Sequence, residues 1–412
     1  MIDSRRRLRF LYLAALVPLG VATARARQLT ERPIAGVLTH PAIGYSTRPT
    51  HDPVAALARR LEEASLQLTF DPTSGYLRSV LDALHVPVDS QLLVISKTGV
   101  QGLHTDPSNP RAIYFNDSVT VGYIRGAPLL ELAVHDPEQG VIFYTIDQKP
   151  QAQAVFDRPS SCLRCHVVYS TLHVPGMIAR SQFVASDGLP LGQFGSYDLD
   201  DRTPFRRRWG GWYVTGTHGA MSHMGNAIVA NRDRPDAAID ERTLNRTTLE
   251  GLFDSRGYLA ADSDIAALMV FEHQMHMINL ITRVGWESRI ASHEGRFETS
   301  RGPLHDAIDE LVDYLLFVNE TPLTAPIKGT TGFAAEFSAR GPADSRGRSL
   351  YQLDLERRLS KYPCSYMVYS PAFRALPRDA LRAIYTRMRE VLSLMPDRKD
   401  VLEILAATVD GF

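Results

Sequence analysis

The chain has 412 residues, of which 44% are hydrophobic and 22% charged, so disorder is excluded as its main state and a sizeable core can be buried. Its 45 Lys and Arg against 46 Asp and Glu give a formal net charge of −1, which leaves no general electrostatic reason to expect nucleic acid as a partner. Three cysteines are too few for a disulfide-stapled scaffold.

The first 26 residues read as an export signal. Arg5, Arg6, Arg7 and Arg9 precede a mostly apolar run from Phe10 to Val21, and small residues follow in Ala22-Thr23-Ala24-Arg25-Ala26. The run contains Pro18 and Gly20 and is short for a membrane span, leaving an uncleaved anchor or an amphipathic first helix as the alternatives. Ser4-Arg5-Arg6 matches a twin-arginine signal only in part. Cleavage after Ala26 removes five arginines and Asp3, a net loss of four positive charges, and takes the formal charge from −1 to −5. No other stretch approaches a span, so the expectation is a periplasmic or otherwise exported bacterial protein with no membrane span in its mature chain.

Three regions follow. In the first, 27–150, Asp52-Pro53 reads as an N-cap followed by a proline at the first helical position, predicting a helix through Glu63. Strand-like runs then occupy Leu92–Ser96, Arg111–Asn116, Val119–Ile124, Leu129–Val134 and Val141–Ile146, separated by turn residues that suggest antiparallel hairpins. The second, 151–260, loses helical periodicity and is rich in glycine, as loops organised around a function often are. The third, 261–412, is helical: a helix is predicted over 264–284. Apolar stripes recur through Ile308, Leu311, Val312, Leu315 and Leu316, and through Leu381, Ile384, Tyr385, Met388, Val391 and Leu392. The class is α+β, with an antiparallel-strand-rich N-terminal part, a loop-rich middle and a helical C-terminal part.

Two of the cysteines stand in Cys162-Leu163-Arg164-Cys165-His166, the C-x-x-C-H pattern of covalent c-type haem attachment. Two thiols so spaced reach the two vinyl groups of one haem as thioethers, and the adjoining histidine supplies the proximal iron ligand. The other readings of the pair are weaker. A thioredoxin-like redox pair fits a βαβ context, a zinc site lacks a second close ligand pair, and a disulfide across two residues is tight. One motif predicts one covalent haem c, with Cys162 and Cys165 as attachment points and His166 as iron ligand. Cys364 lies outside the motif and reads as a small buried thiol.

The chain resembles a family of exported bacterial proteins described as cytochrome c domain-containing. The resemblance is carried by Tyr114-Phe115-Asn116-Asp117, by Tyr144 to Pro150, by Cys162 to His166, by Arg208 to Gly216, by His223-Met224-Gly225-Asn226, by Glu272-His273-Gln274 and by Tyr366 to Ser370. It covers most of the chain after the signal and implies export and haem, without implying a reaction.

Small cytochromes c place the motif near their start, whereas about 135 residues precede it here once the signal is removed. A distal ligand is therefore sought elsewhere. The cluster His218 to Asn226 offers His223 as first choice and His218 as alternative, with ordinary packing as the competing explanation. On the 264–284 helix, Glu272 with His276 and His273 with Met277 share faces four residues apart, and His273 and Met277 are further alternatives. A hydrogen-bonded polar seam explains that cluster equally well. His173 and Met177 follow the motif closely and read mainly as packing residues. Arg206, Arg207 and Arg208 beside Trp209 and Trp212 are candidates for haem propionate and haem-edge contacts, or else a solvated basic turn.

Three functions compete. The first is electron transfer through six-coordinate haem with an unidentified redox partner protein. The second is a haem-dependent oxidoreductase with an open or displaceable distal site, which the length of the chain favours. The third is a haem-based sensor or structural subunit of a larger complex.

Overall fold

The computed structural model describes residues 37–395 and 398–412, so the expected export signal at 1–26 lies outside the described residues. Asp52 caps helix α1, Pro53–Glu62, by accepting the Ala55 N–H, and α2, Leu77–Ala83, follows. The five strand-like runs become β1 (Leu92–Val94), β2 (Arg111–Phe115), β3 (Val119–Tyr123), β4 (Leu129–Asp136) and β5 (Gly140–Asp147), each paired antiparallel with its neighbour. Side-chain alternation along these strands divides the interior in two. Leu93, Ala112, Tyr114, Val121, Leu132 and Tyr144 pack with α1 and α2 on one face. Leu92, Ile113, Phe115, Val141 and Phe143 join the larger core on the other.

The glycine-rich middle contributes only short pieces: the helical turn α3 (Leu163–His166) and strands β6 (Arg180–Gln182), β7 (Val184–Ala185), β8 (Ser196–Asp198), β9 (Trp212–Tyr213) and β10 (Ile228–Val229). One of them matters for the whole molecule. Strand β9 adds to the edge of β1, pairing Trp212 with Val94 and Tyr213 with Leu93, and completes a six-stranded sheet in the order β5-β4-β3-β2-β1-β9. The first two sequence regions therefore share one sheet, and all three contribute to the larger core.

Helix α4, Ile265–His293, is the central element. Its N-cap Asp264 accepts from Ala266 and Ala267, and the same carboxylate takes the N–H groups of Thr330 and Thr331, tying that loop to the helix start. It continues to His293 rather than ending at Val284: Arg283 pairs with Glu287 at 2.6 Å, while Trp286 and Ile290 are buried in the α1–α2 side of the core. Charged residues interleaved with those two hid the helical period. A helix buried on nearly every side needs covering layers, and α5 (Pro303–Leu315), α6 (Phe333–Ser338), α7 (Pro371–Arg374), α8 (Arg378–Leu392) and α9 (Arg398–Thr408) supply them. No helix among the described residues is long and apolar enough to cross a membrane.

Candidate haem-attachment site

A 3₁₀ turn at Ser160–Cys162 runs directly into α3, so Cys165 and His166 stand three and four residues beyond Cys162, about one helical turn on. Residues three and four apart share a helix face, which places both thiols and the imidazole on one side. Cys162 is half-buried and Cys165 exposed, and neither is in a disulfide. The turn ends at Val167, and the chain returns so that the Gly176 N–H donates to the His166 carbonyl oxygen at 3.0 Å.

That return also fixes the imidazole. His166 Nδ1 lies 2.8 Å from the Gly176 carbonyl oxygen, an acceptor only, so Nδ1 carries the hydrogen and Nε2 keeps its lone pair. Burial lowers the proton affinity of His166 and the Arg111 charge adds to this, against the pull of the Gly176 carbonyl. Gly176 is in turn positioned from α4: Asn279 accepts the Met177 N–H at 2.9 Å and donates to the Met177 carbonyl at 2.8 Å, while Arg283 donates to the Leu172 carbonyl at 3.0 Å. A metal-binding histidine is ordinarily oriented in this way, by a carbonyl on its other nitrogen that is itself held.

The motif rests against the sheet. Phe143 of β5 packs its ring 4.5 Å from that of His166. Register puts Phe143 opposite Ala133, and two pairs further along places Thr145, Glu131, Gly122, Ile113 and Leu92 in a row on the same face. Thr145, Glu131, Gly122 and Ala133 are only partly buried, so this end of the face stays half open beside the motif. Gly122 leaves its floor flat, since a Cβ there would meet nothing nearer than Glu131 at 3.6 Å. Cavities of about 510 Å³, beside Asn116, Asp117 and Tyr351, and of about 760 Å³, beside Leu68 and Asp82, lie away from the motif.

The other sequence candidates are occupied elsewhere. His223 is buried; its Nδ1 accepts the Gly225 N–H at 3.0 Å, and its Nε2 stands 3.1 Å from Nε2 of His218. That His218 nitrogen also accepts the Asn245 N–H, so the hydrogen between the rings sits on His223. His218 Nδ1 is buried without a partner. His273 is hydrogen-bonded on both sides, to Asp201 at 3.2 Å and Ser365 at 2.8 Å, and is stacked between Tyr314 and Phe317. Met277 is in the core. The α4 cluster is thus the polar seam of the competing explanation. His276 is half-buried, edge-on to Tyr314 at 4.6 Å, and neither of its ring nitrogens is hydrogen-bonded among the described residues.

Arg208 is buried and donates to Glu272, to the Thr203 carbonyl and to the Asp201 carbonyl, while Trp209 donates to the other Glu272 oxygen at 3.1 Å. Burial pushes the Glu272 carboxyl up and Arg208 opposes it. Arg208 and the Trp209 indole are thus engaged by Glu272 and by backbone carbonyls of the chain itself. Arg206 and Arg207 are exposed, the latter over the Tyr197 ring at 4.9 Å. Trp212, in β9, lies in the same face of the sheet as the motif and donates to the Arg180 carbonyl at 2.8 Å. His173 and Met177 are half-buried on the return loop, and Cys364 is fully buried.

Gly176, Asn279, Phe143, Arg111 and Glu131 escaped the sequence reading. Only Gly122, an isolated glycine within a strand pattern, carried a signal for close approach. Among the described residues no group of three or more His, Cys, Asp or Glu is placed to hold a metal ion. Comparison of the chain with family models, curated proteins and solved structures returned no match.

Proposed function

We propose that this chain is an exported monohaem c-type cytochrome that transfers electrons to or from a partner protein. The observation that carries the reading is the His166–Gly176 hydrogen bond, which turns Nε2 of a neutral imidazole outward from the same helical turn that presents two free thiols. Cys162 and Cys165 would hold haem c as thioethers and His166 would ligate its iron, and a haem so held supplies a one-electron ferric–ferrous couple. The chain's own part is mechanical and electrostatic. α3 spaces the thiols, Gly176 fixes the tautomer and aim of His166, and Phe143 backs the ring. Asn279 couples the return loop to the rigid α4. The half-open face leaves one side of the motif accessible.

A second reading, a haem-dependent oxidoreductase with an open distal position, is favoured by one observation: His218, His223, His273 and Met277 are all committed to core packing or hydrogen bonds.

A haem stain on a denaturing gel, with protein made in a host that attaches haem c, tests the shared premise. Wild type should stain and Cys162→Ala with Cys165→Ala should not; an unstained wild type overturns both readings. Carbon monoxide then separates them. Ready binding by the ferrous protein selects the oxidoreductase, and no binding selects the carrier.

A further inference from the structure

Strand register puts Arg111 of β2 and Glu131 of β4 on the face of the sheet that carries Phe143, the ring packed on His166. Arg111 is an unusual residue for a strand in the interior of a sheet, and its side chain is only 17% exposed. Part of its bonding capacity is unspent. Nη1 donates to the Thr98 carbonyl at 3.2 Å and Nη2 reaches Thr98 Oγ1 at 3.4 Å, but Nε is buried without a partner. Glu131 Oε2 stands 4.0 Å from Nη1, close enough for attraction and too far for a hydrogen bond. Between the two lies the bare floor at Gly122. A guanidinium presents its donors as a planar fork that fits the two oxygens of a carboxylate-like anion. Here such a fork sits half-buried, beside the haem motif, with one N–H unclaimed and a weakly held counter-charge.

We infer that Arg111 is an oxyanion-binding residue of the haem-attachment face, with Glu131 as the counter-charge that holds it until the oxyanion arrives; this rests on the haem reading above. The oxyanion is a carboxylate-type group from one of two sources, a propionate of the attached haem or a free small anion.

The test uses the holoprotein and the variants Arg111→Gln, Arg111→Lys and Glu131→Gln. The equilibrium with redox buffers is read from the visible spectrum, with and without sodium formate. Removing a cation near the iron disfavours the reduced state, so Arg111→Gln should lower the reduction equilibrium constant about tenfold, while Glu131→Gln should raise it. Arg111→Lys keeps the charge and should stay near wild type in reduction while losing the fork. Shifts of opposite sign are what a merely structural role would not produce. If they are independent of formate, the source is a propionate. If formate changes the wild-type spectrum and Arg111→Gln abolishes the response, the source is a free anion. Unchanged equilibria and formate response in both charge variants, or shifts of the same sign, overturn the proposal. Where Arg111→Gln does not fold, Glu131→Gln carries the test alone, and an unshifted or lowered equilibrium in it is the overturning result. A stained wild type with unresponsive variants sinks only this proposal, whereas an unstained wild type sinks the haem reading first.

Discussion

His166 and Gly176, ten positions apart in the chain, exchange two hydrogen bonds: the imidazole Nδ1–H donates to the glycine carbonyl at 2.8 Å, and the glycine N–H donates to the histidine carbonyl at 3.0 Å. The pair closes the loop that follows the C-x-x-C-H motif into a clamp. Backbone and ring of His166 are held by one residue, and that residue is anchored to α4 through the two hydrogen bonds of Asn279 with Met177. The orientation of Nε2 thus depends on the most buried helix of the protein rather than on the four-residue turn that carries it.

Gly176 tests the clamp directly. A Cβ at this position would run into the Asn279 side-chain oxygen, with Thr171 Cβ at 3.1 Å on another side. Gly176→Ala should therefore push the return loop off α4, at about 1–3 kcal/mol as for other overpacked sites. Urea unfolding measures the loss, and the fraction of chains that stain for haem should fall with it. Full stability would show that Asn279 swings aside freely.

Much of this architecture was legible in the chain and the clamp was not. The hairpins declared themselves because strands β1 to β5 are short, largely apolar runs punctuated by Asp-Pro and Asn-Asp pairs, local features that need no partner to be read. The C-x-x-C-H motif is likewise contiguous. By contrast Asn279 and Gly176 meet across about a hundred residues, and neither residue type signals a role by itself. His223 drew attention through its place among other histidines and methionines, yet its ring is packed against Trp209 and Phe205. Arg208 and Trp209 read as candidate propionate and haem-edge contacts or as a solvated basic turn because their partner, Glu272, lies on a helix far along the sequence.

The Glu272 seam should matter for stability and not for attachment. Glu272→Gln leaves the Arg208 guanidinium buried without its counter-charge, a change that costs about 3–5 kcal/mol at comparable sites. Chemical denaturation measures this. Haem stain per folded molecule should match wild type, since the seam is joined to Arg208 and Trp209 and makes no bond to the motif. A folded variant without stain would place the seam in the attachment site.

Acid should weaken the fold through its buried imidazoles. Burial depresses His223 to about 3, with His218 adding to the effect, and His135 to about 4 against the opposing pull of Asp136. Both are neutral in the fold and protonate near their ordinary value when unfolded. Their contribution is full above about 6.5 and is lost as pH falls toward 4 and 3. By pH 5 each should have removed about 2 kcal/mol. His135→Leu should reduce this acid sensitivity, because it removes one of the two imidazoles that must charge, while the loss of the Nε2–Thr282 hydrogen bond at 3.2 Å is felt at both pH values. Urea midpoints at pH 7.5 and pH 5 supply the comparison, and an unchanged difference between wild type and variant would count against the assignment.

His223 separates a core role from a ligand role. Its ring packs on Trp209 at 5.2 Å and Phe205 at 6.0 Å, and its Nδ1 takes the Gly225 N–H that the tight turn leaves over. His223→Ala should open a cavity and leave that N–H unpaired, for a loss of about 2–4 kcal/mol. The visible spectrum of the haem-loaded protein should nevertheless be unaltered, in both oxidation states, because the lone pair on Nδ1 is already engaged and Nε2 carries the hydrogen shared with His218. A spectrum that moves from low to high spin would reverse the conclusion: His223 would then be a distal ligand, and haem attachment would have to pull it out of the core and break its bonds to Gly225 and His218.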